Sequence, residues 1–308
     1  MAKPFIKWAG GKTQLLTQFE RILPNDLYEA IPFTYIEPFV GGGALLFYML
    51  QKFPNIGRAI INDVNPNLTT AYRVVRDMPE LLIAELKRLQ LEFHQLNSEE
   101  AKKDYFLNIR NSYNVEQHDD VIKTALFIFL NRTCFNGLHR LNSKGHFNVP
   151  FGKYTKPTIC DEALIMEDSS VLQNVEILCG DYSQIERFAD DNTFVYFDPP
   201  YRPLSVTSSF TSYSKESFND AEQIRLAQFF ARLTRLGCRM MLSNSDCSSH
   251  NPSDTFFEEL YGNYIIERVY ASRSVNANAS KRGKLTEILV RNYESAGIQP
   301  EDEFQFAI

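Results

Sequence analysis

The sequence predicts an α/β fold with a doubly wound, mostly parallel sheet and an inserted, mainly helical lobe. Short apolar segments alternate with helical patterns along most of the 308 residues, as expected when strands alternate with the helices that cover them. Several of these segments are continuously apolar, which is typical of strands buried on both faces. From residue 65 to residue 159 consecutive helical patterns replace the alternation, which indicates an insertion.

Seven apolar segments are predicted as strands, at residues 34–39, 58–62, 175–178, 193–197, 238–243, 264–271 and 285–292. Helices are predicted at 44–53 and at 219–236. In the second helix, Asn219 is predicted to cap the first turn and Glu222 to return a hydrogen bond to Asn219, while Gly237 ends the helix. Helical patterns in the insertion cover residues 67–76, 79–93, 99–113 and 120–130. We therefore predict one domain from residues 1–64 and 160–308, with a second domain inserted at 65–159.

Charge is unevenly distributed in this chain, whose formal net charge is −6. Residues 121–160 and 268–286 contain no Asp or Glu but several Lys and Arg. Basic segments in an acidic chain favour a protein that holds a polyanion on one face, although solvated loops are the alternative. The five cysteines are scattered without a CxxC pair, which favours reduced cytoplasmic thiols and no metal site. No apolar run approaches the length of a membrane span, and the N-terminus lacks a signal-peptide pattern.

A glycine cluster follows the first predicted strand. Gly41, Gly42 and Gly43 lead into a helix, and the next strand is followed by Asp63, 20 residues beyond Gly43. Glycines allow a ligand to approach the backbone closely, and an acid at this place typically binds the ribose of an adenosyl cofactor. The nicotinamide pattern GxGxxG fails because Leu46 occupies the third glycine position. An ordinary strand–helix turn is the alternative.

A second glycine motif includes Trp8, Gly10, Gly11 and Lys12. A phosphate-binding P-loop is disfavoured because Ile6 stands at the leading glycine position and no strand precedes it. The turn suits a ligand that carries a carboxylate and an aromatic group as well as it suits a phosphate.

The most specific motif is Asp198-Pro199-Pro200-Tyr201, at the end of a predicted buried strand. Ligands of open α/β sheets bind at the carboxyl ends of strands. The Asp198 carboxylate and the Pro199 carbonyl could each accept one hydrogen of an exocyclic amino group, and Tyr201 offers a face on which an extruded base can stack. A chance occurrence in a loop is the alternative.

The first basic stretch mixes Arg, Asn, Gly and aromatic residues at 131–140 and 145–154. Arg can bind guanine, Asn can bind adenine, and an aromatic side chain can fill the gap left by a flipped base. This composition favours double-stranded DNA as the partner.

Together and in this order, the segments 5–12, 37–43, 62–65, 136–138, 147–152, 198–201 and 243–246 resemble the Dam family of DNA adenine-N6 methyltransferases, in the arrangement of its alpha group. The resemblance extends to about Tyr293 and implies a Rossmann-like methyltransferase fold that uses S-adenosylmethionine. It implies cofactor contacts from Trp8, Lys12, Phe39, Gly41, Gly43, Asp63, Asp181 and Asp198. It implies DNA contacts from Lys7, Phe135, Asn136, Leu138, Arg140, Pro150 and Arg273, to which we add the basic residues Arg132 and Lys153.

The predicted reaction is direct methyl transfer to N6 of a flipped adenine within GATC, with Asp198, Pro199, Pro200 and Tyr201 as the catalytic motif. No Pro-Cys dipeptide occurs, which argues against cytosine carbon-5 methylation through a thiol nucleophile. N4-cytosine methylation, RNA-adenine methylation and a non-catalytic DNA-binding regulator are the alternatives. We expect a cytoplasmic bacterial or phage protein that is monomeric in solution, with two copies on DNA as a further arrangement.

Overall fold

The computed structural model describes residues 1–204, 218–271 and 285–295. Its seven strands are β1 (Phe33–Glu37), β2 (Ile56–Asp63), β3 (Val175–Cys179), β4 (Thr193–Phe197), β5 (Arg239–Ser245), β6 (Ile265–Ala271) and β7 (Leu285–Arg291). They form one sheet in the order β3-β2-β1-β4-β5-β7-β6. Strand β7 runs in the opposite direction to the other six described strands, so its pairs with β5 and β6 are antiparallel and all other pairs are parallel. The predicted doubly wound, mostly parallel sheet is thus confirmed.

The α-helices are α1 (Leu16–Glu20), α2 (Ala44–Lys52), α3 (Pro66–Asp77), α4 (Pro79–Gln95), α5 (Glu99–Val115), α6 (Asp120–Thr133), α7 (Glu162–Leu172), α8 (Asp220–Arg235), α9 (Cys247–His250) and α10 (Phe256–Tyr261). Short 3-10 helices lie at Lys12–Gln14, Asn25–Tyr28, Phe135–Gly137 and Tyr182–Phe188. The described helices include none with the length and apolar character needed to cross a membrane.

The sheet has a hydrophobic core on each face, because side chains alternate between the two faces of a strand. In β1 and β4, Tyr35 and Phe194 join the core on one face, whereas Ile36 and Val195 join the core on the other. All five residues of β4 are buried, which explains why that strand is continuously apolar.

Side-chain caps start several helices at their predicted positions. Asn65 accepts hydrogen bonds from the Asn67 and Leu68 amides at the start of α3, and Ser98 caps α5. At α8 the Asn219 side chain accepts the Glu222 amide at 3.1 Å. The predicted reciprocal bond from Glu222 is wrong, because its carboxylate accepts the Arg225 guanidinium instead.

The inserted segment is organised around α6, which packs against α3, α4 and α5. Its residues Ala125–Leu130 are all buried. Helix α3 also contacts β2 and β3, so the first helix after residue 65 covers the sheet. The division at residues 65 and 159 remains a proposal.

Asp168 on α7 is a fully buried carboxyl group in this core. One of its oxygens accepts the Lys3 amide at 3.1 Å, and the other has no hydrogen-bond partner in the described part of the chain. Burial raises the pKa of Asp168 to about 8. The folded protein therefore holds this proton more tightly than the unfolded chain does.

We expect the stability of the wild type to fall as the pH rises toward about 8 and to level off above it, because over that range the unfolded chain ionises this carboxyl group while the folded protein keeps it protonated. The Asp168→Asn variant, which cannot ionise, should lose less stability between pH 6 and pH 9. Urea unfolding across that range measures the difference, with Glu162→Gln, an exposed glutamate of the same helix, as control. Parallel profiles for wild type and Asp168→Asn would contradict the assignment.

Candidate active site

The glycine turn lies at the carboxyl edge of the sheet, between β1 and α2. Gly41 and Gly43 have φ values of 50° and 72°, a region that favours glycine. The Tyr72 hydroxyl donates a hydrogen bond to the Gly41 carbonyl at 3.0 Å. A Cβ atom on Gly43 would collide with that hydroxyl oxygen, so both conformation and space require glycine there.

Asp63, the last residue of β2, lies directly beside this turn. Its carboxylate accepts the Gly41 amide at 3.1 Å and the Asn65 amide at 2.9 Å. Burial raises the pKa of Asp63, and the two amides oppose that rise. The predicted pair of glycine turn and strand-end acid is therefore brought together.

Trp8 packs against the same turn. A Cβ on Gly41 would lie 2.8 Å from Trp8 Cδ1, and one on Gly42 would lie 3.0 Å from Trp8 Cβ. The Trp8 ring also stacks on His139, with centroids 5.3 Å apart and planes 23° apart. Burial lowers the pKa of His139 to about 4, so the stacked imidazole is neutral at pH 7. Trp8 thus contacts both the glycine turn and the predicted DNA-binding stretch.

Lys12 joins the second glycine motif to the catalytic motif. Its buried ammonium lies 2.9 Å from Asp198 Oδ1, donates to the Gly10 carbonyl at 2.7 Å and stands 4.6 Å from the centroid of the Tyr201 ring. The ammonium thus faces a carboxylate and an aromatic ring of the protein itself, and a ligand contact of this turn remains a prediction. Burial raises the pKa of Asp198, whereas Lys12 opposes that rise.

Polar side chains from α8 and β5 fix the loop after β4. Gln223 donates to the Pro200 carbonyl at 3.0 Å and accepts from Asn244 at 3.1 Å. The Asn244 side chain accepts the Arg202 amide, and Ser245 donates to the Arg202 carbonyl. No described residue donates a hydrogen bond to the Pro199 carbonyl. The sequence indicated Asn244 and Ser245 only through the family resemblance, and it gave no indication of Gln223.

The predicted cofactor residues Phe39 and Asp181 lie at this edge as well. The Phe39 ring contacts the rings of Tyr182, Phe197 and Phe218 at centroid distances of 5.2, 6.5 and 5.7 Å. Asp181 follows β3 and pairs with Arg225 at 2.7 Å, which holds the pKa of the carboxyl group near 2. Arg225 was not singled out from the sequence. The Phe39 ring thus contacts both Tyr182 and Phe197. These two residues are the sequence neighbours of Asp181 and Asp198.

The predicted DNA-binding loop is attached to the N-terminal segment through Asn131. The Asn131 amide accepts the Lys7 N–H at 2.8 Å and donates to the carbonyls of Lys7 and Gly137 at 2.8 and 3.0 Å. The side chains of Phe135 and Leu138 remain 51% and 41% exposed. Asn136 between them is exposed and adopts a φ of 55°. The loop therefore presents apolar side chains to solvent from a fixed base.

The basic residues of this region fall into two groups. Lys7 is exposed beside the Tyr154 ring, and the exposed Arg140 is held by the Asn148 side chain at 2.7 Å. In contrast, Arg132 is half-buried and donates to the Phe5 carbonyl at 2.6 Å. Lys153 pairs with Glu99 at 2.8 Å. The DNA contacts of all four residues remain predictions.

Pro150 and Arg273 are the two remaining predicted DNA contacts. The Pro150 carbonyl accepts the Phe135 amide at 2.9 Å, which places Pro150 beside the exposed aromatic side chain. Arg273 lies outside the described residues.

The chain matches known proteins over almost its whole length. The model of the D12 class of N6 adenine-specific DNA methyltransferases matches residues 8–275. The type II methyltransferase M.MjaIII of Methanocaldococcus jannaschii is 48% identical, over 94% of this chain and 99% of that protein. The type II methyltransferase M1.LlaDCHI of Lactococcus lactis is 41% identical, over 94% and 95%.

A DNA adenine methylase of Escherichia coli is 33% identical, over 93% of this chain and 94% of that protein. The family match includes the glycine turn, Asp63 and the Asp198–Tyr201 loop, which lie at the carboxyl edge of the sheet. The chain therefore belongs to the D12 class of N6 adenine-specific DNA methyltransferases, enzymes that depend on S-adenosyl-L-methionine.

Proposed function

We propose that this enzyme methylates N6 of an adenine that is flipped out of double-stranded DNA, within the sequence GATC. The ion pair between Lys12 and Asp198, at 2.9 Å, is the observation that carries the proposal. It joins the Asp-Pro-Pro-Tyr loop to the N-terminal segment, whose Trp8 lines the glycine turn. A base held at Asp198 is therefore next to a cofactor held at that turn.

The residues at this edge fit S-adenosyl-L-methionine. Gly41 and Gly43 give the turn a backbone with positive φ values, Asp63 provides a carboxylate at the end of β2, and Phe39 and Tyr182 provide apolar faces. Asp63 would hold the ribose hydroxyls, as acids at this place in α/β nucleotide sites do. When bound, the cofactor supplies an electrophilic methyl group on a sulfonium centre.

The loop after β4 offers two acceptors for an amino group. The Asp198 carboxylate is still 22% exposed despite its pairing with Lys12, and the Pro199 carbonyl receives no hydrogen bond from the described residues. Two acceptors that bind both amino hydrogens aim the nitrogen lone pair away from the base plane. The Tyr201 ring supports the base by stacking. Positioning and electrostatics then supply the rate enhancement without a covalent intermediate.

The DNA-binding loop has the composition needed to replace a flipped base. Phe135 and Leu138 are exposed apolar side chains, which can insert between bases. Lys7 and Arg140 are exposed cations near them, and Arg binds guanine through two hydrogen bonds. The GATC assignment depends on the resemblance of residues 135–140 to GATC-specific members of the family.

Long-read sequencing of DNA from a host that expresses the enzyme tests the base and the site together. We expect N6-methyladenine at GATC in that host and its absence with the Asp198→Ala variant. Methylated cytosine would contradict the proposed base. Methylated adenine in another sequence would contradict GATC alone. DNA that is bound but never methylated would favour a non-catalytic regulator.

The Arg140→Ala variant should discriminate less well against substitution of the guanine that Arg140 contacts. A lost bidentate contact costs roughly 1–3 kcal/mol of discrimination, or about five- to 150-fold in relative kcat/KM. The measurement compares methylation of GATC duplexes with duplexes altered at one position. Lys144→Ala removes a charge from the same loop and should weaken binding equally for all duplexes. An unchanged preference in Arg140→Ala would remove Arg140 from the guanine contact.

A further inference from the structure

Glu287 reaches the catalytic edge of the sheet because β7 runs against the other strands. The amino end of β7 therefore lies beside the carboxyl ends of its neighbours, and Glu287 pairs in register with Ser245 of β5. Its side chain is only 13% exposed. A glutamate near the end of the chain is thus placed among the residues of the catalytic motif.

Two contacts connect Glu287 with that motif. Its Oε2 atom accepts a hydrogen bond from the Tyr201 hydroxyl at 2.6 Å and lies 4.0 Å from the Lys12 ammonium. Asp198 lies 2.9 Å from the same ammonium. Glu287 therefore fixes the ring on which the base is proposed to stack, and it shares a cation with the proposed base-binding carboxylate.

Among the residues that the structure describes, the charges in this cluster do not balance. The carboxylates of Asp198 and Glu287 share the single ammonium of Lys12, which leaves one net negative charge. Nearby Glu37 adds no full charge at pH 7, because burial raises its pKa to about 8. A largely buried surplus carboxylate is unfavourable unless a cation approaches it, so the cluster is suited to a positively charged ligand.

We propose that Glu287 is a positioning residue for Tyr201 whose negative charge also makes the pocket prefer the sulfonium cofactor over its neutral thioether product. The inference extends the proposed function, because it assumes that the cofactor binds beside Asp198. S-adenosylmethionine and S-adenosylhomocysteine share the adenosine and the amino-acid groups, and differ by one methyl group and one positive charge. Their affinity ratio therefore reports on the charge of the pocket.

Calorimetric titration of both compounds without DNA tests this role. In Glu287→Gln the amide oxygen can still accept the Tyr201 hydroxyl, but the charge is gone. We expect S-adenosylmethionine to bind about tenfold more weakly, as for loss of one nearby charge in a partly screened site, and S-adenosylhomocysteine to change by less than about twofold. The Tyr201→Phe variant, which loses the hydroxyl and keeps every carboxylate, should leave the ratio unchanged.

Glu267→Gln provides the matched control, since Glu267 is an ion-paired glutamate on β6, with Arg291 as its partner. It should leave both affinities unchanged. If Glu287→Gln fails to fold, Glu287→Asp takes its place. This variant keeps the negative charge and is expected to retain the wild-type ratio of the two affinities. Equal weakening of both compounds by Glu287→Gln, or an unchanged ratio, would overturn the proposal. Because DNA is absent, this outcome is independent of which base the enzyme methylates.

Discussion

The Asp198→Ala variant is expected to lose methyl transfer by at least about a thousandfold while it retains most of its DNA affinity. Loss of one preorganised electrostatic contact typically costs a hundred- to a thousandfold, and here the same substitution also leaves the buried Lys12 ammonium without its nearest carboxylate. The DNA-binding loop makes no hydrogen bond or ion pair with Asp198 within the described residues. Transfer of a tritiated methyl group and fluorescence anisotropy of labelled duplex DNA measure the two quantities.

Asp190 offers a control at the opposite end of the same strand. It precedes β4 and accepts hydrogen bonds from the Asn192 amide and the Thr193 hydroxyl. Asp190→Ala should therefore cost stability and leave the rate of the folded enzyme nearly unchanged. Near-normal methylation by Asp198→Ala would refute the catalytic assignment, and a parallel loss of DNA binding would show that the residue supports the fold instead.

The second large effect is expected from Gly43→Ala, which should weaken S-adenosylmethionine binding by about ten- to a hundredfold. The new Cβ atom would meet the Tyr72 hydroxyl and would require a side chain at a φ of 72°. Local backbone strain of this kind costs of order 1–3 kcal/mol. Because the glycine turn must shift to relieve the collision, its contact with Asp63 shifts too. Calorimetric titration with the cofactor gives the affinity.

Gly145→Ala separates strain from collision, since Gly145 has a φ of 75° and nothing lies within 4 Å of its Cβ position. This variant should lose a little stability and keep its cofactor affinity. Combining Gly43→Ala with Tyr72→Phe removes the hydroxyl and should restore part of the affinity. Equal behaviour of the two glycine variants, or no recovery in the double variant, would show that the collision does not control the pocket.

Local patterns in the sequence were sufficient to predict most of the fold. Apolar segments marked all seven described strands, and the Asn219 cap marked the start of one helix. The prediction of the first strand ran to residue 39, but β1 ends at Glu37. Proline at 38 interrupts strand pairing, and the chain turns there, with the Pro38 carbonyl bound by Asn62.

Residues whose roles depend on strand order could not be found from local patterns. Glu287 reaches the site only because the last strand is antiparallel, and Gln223 because α8 packs over β5 and the loop after β4. Arg225 meets Asp181 across a gap of 44 positions in the chain. Each is an ordinary polar residue in a strand or helix, and nothing in its immediate sequence distinguishes it.

The three hydrogen bonds of Asn131 have a consequence for how such enzymes can change the DNA sequence that they recognise. Through these bonds, the Asn131 side chain connects the N-terminal segment, which carries Trp8 and Lys12, with the loop that carries Phe135 and Leu138. The exposed side chains of Phe135 and Leu138 take no part in these bonds, so we expect that they can be exchanged without loss of the anchor. Replacement of the anchor should disturb the proposed DNA-binding loop and the proposed cofactor-binding segment in a single step, so we expect new specificities to arise around an unaltered Asn131.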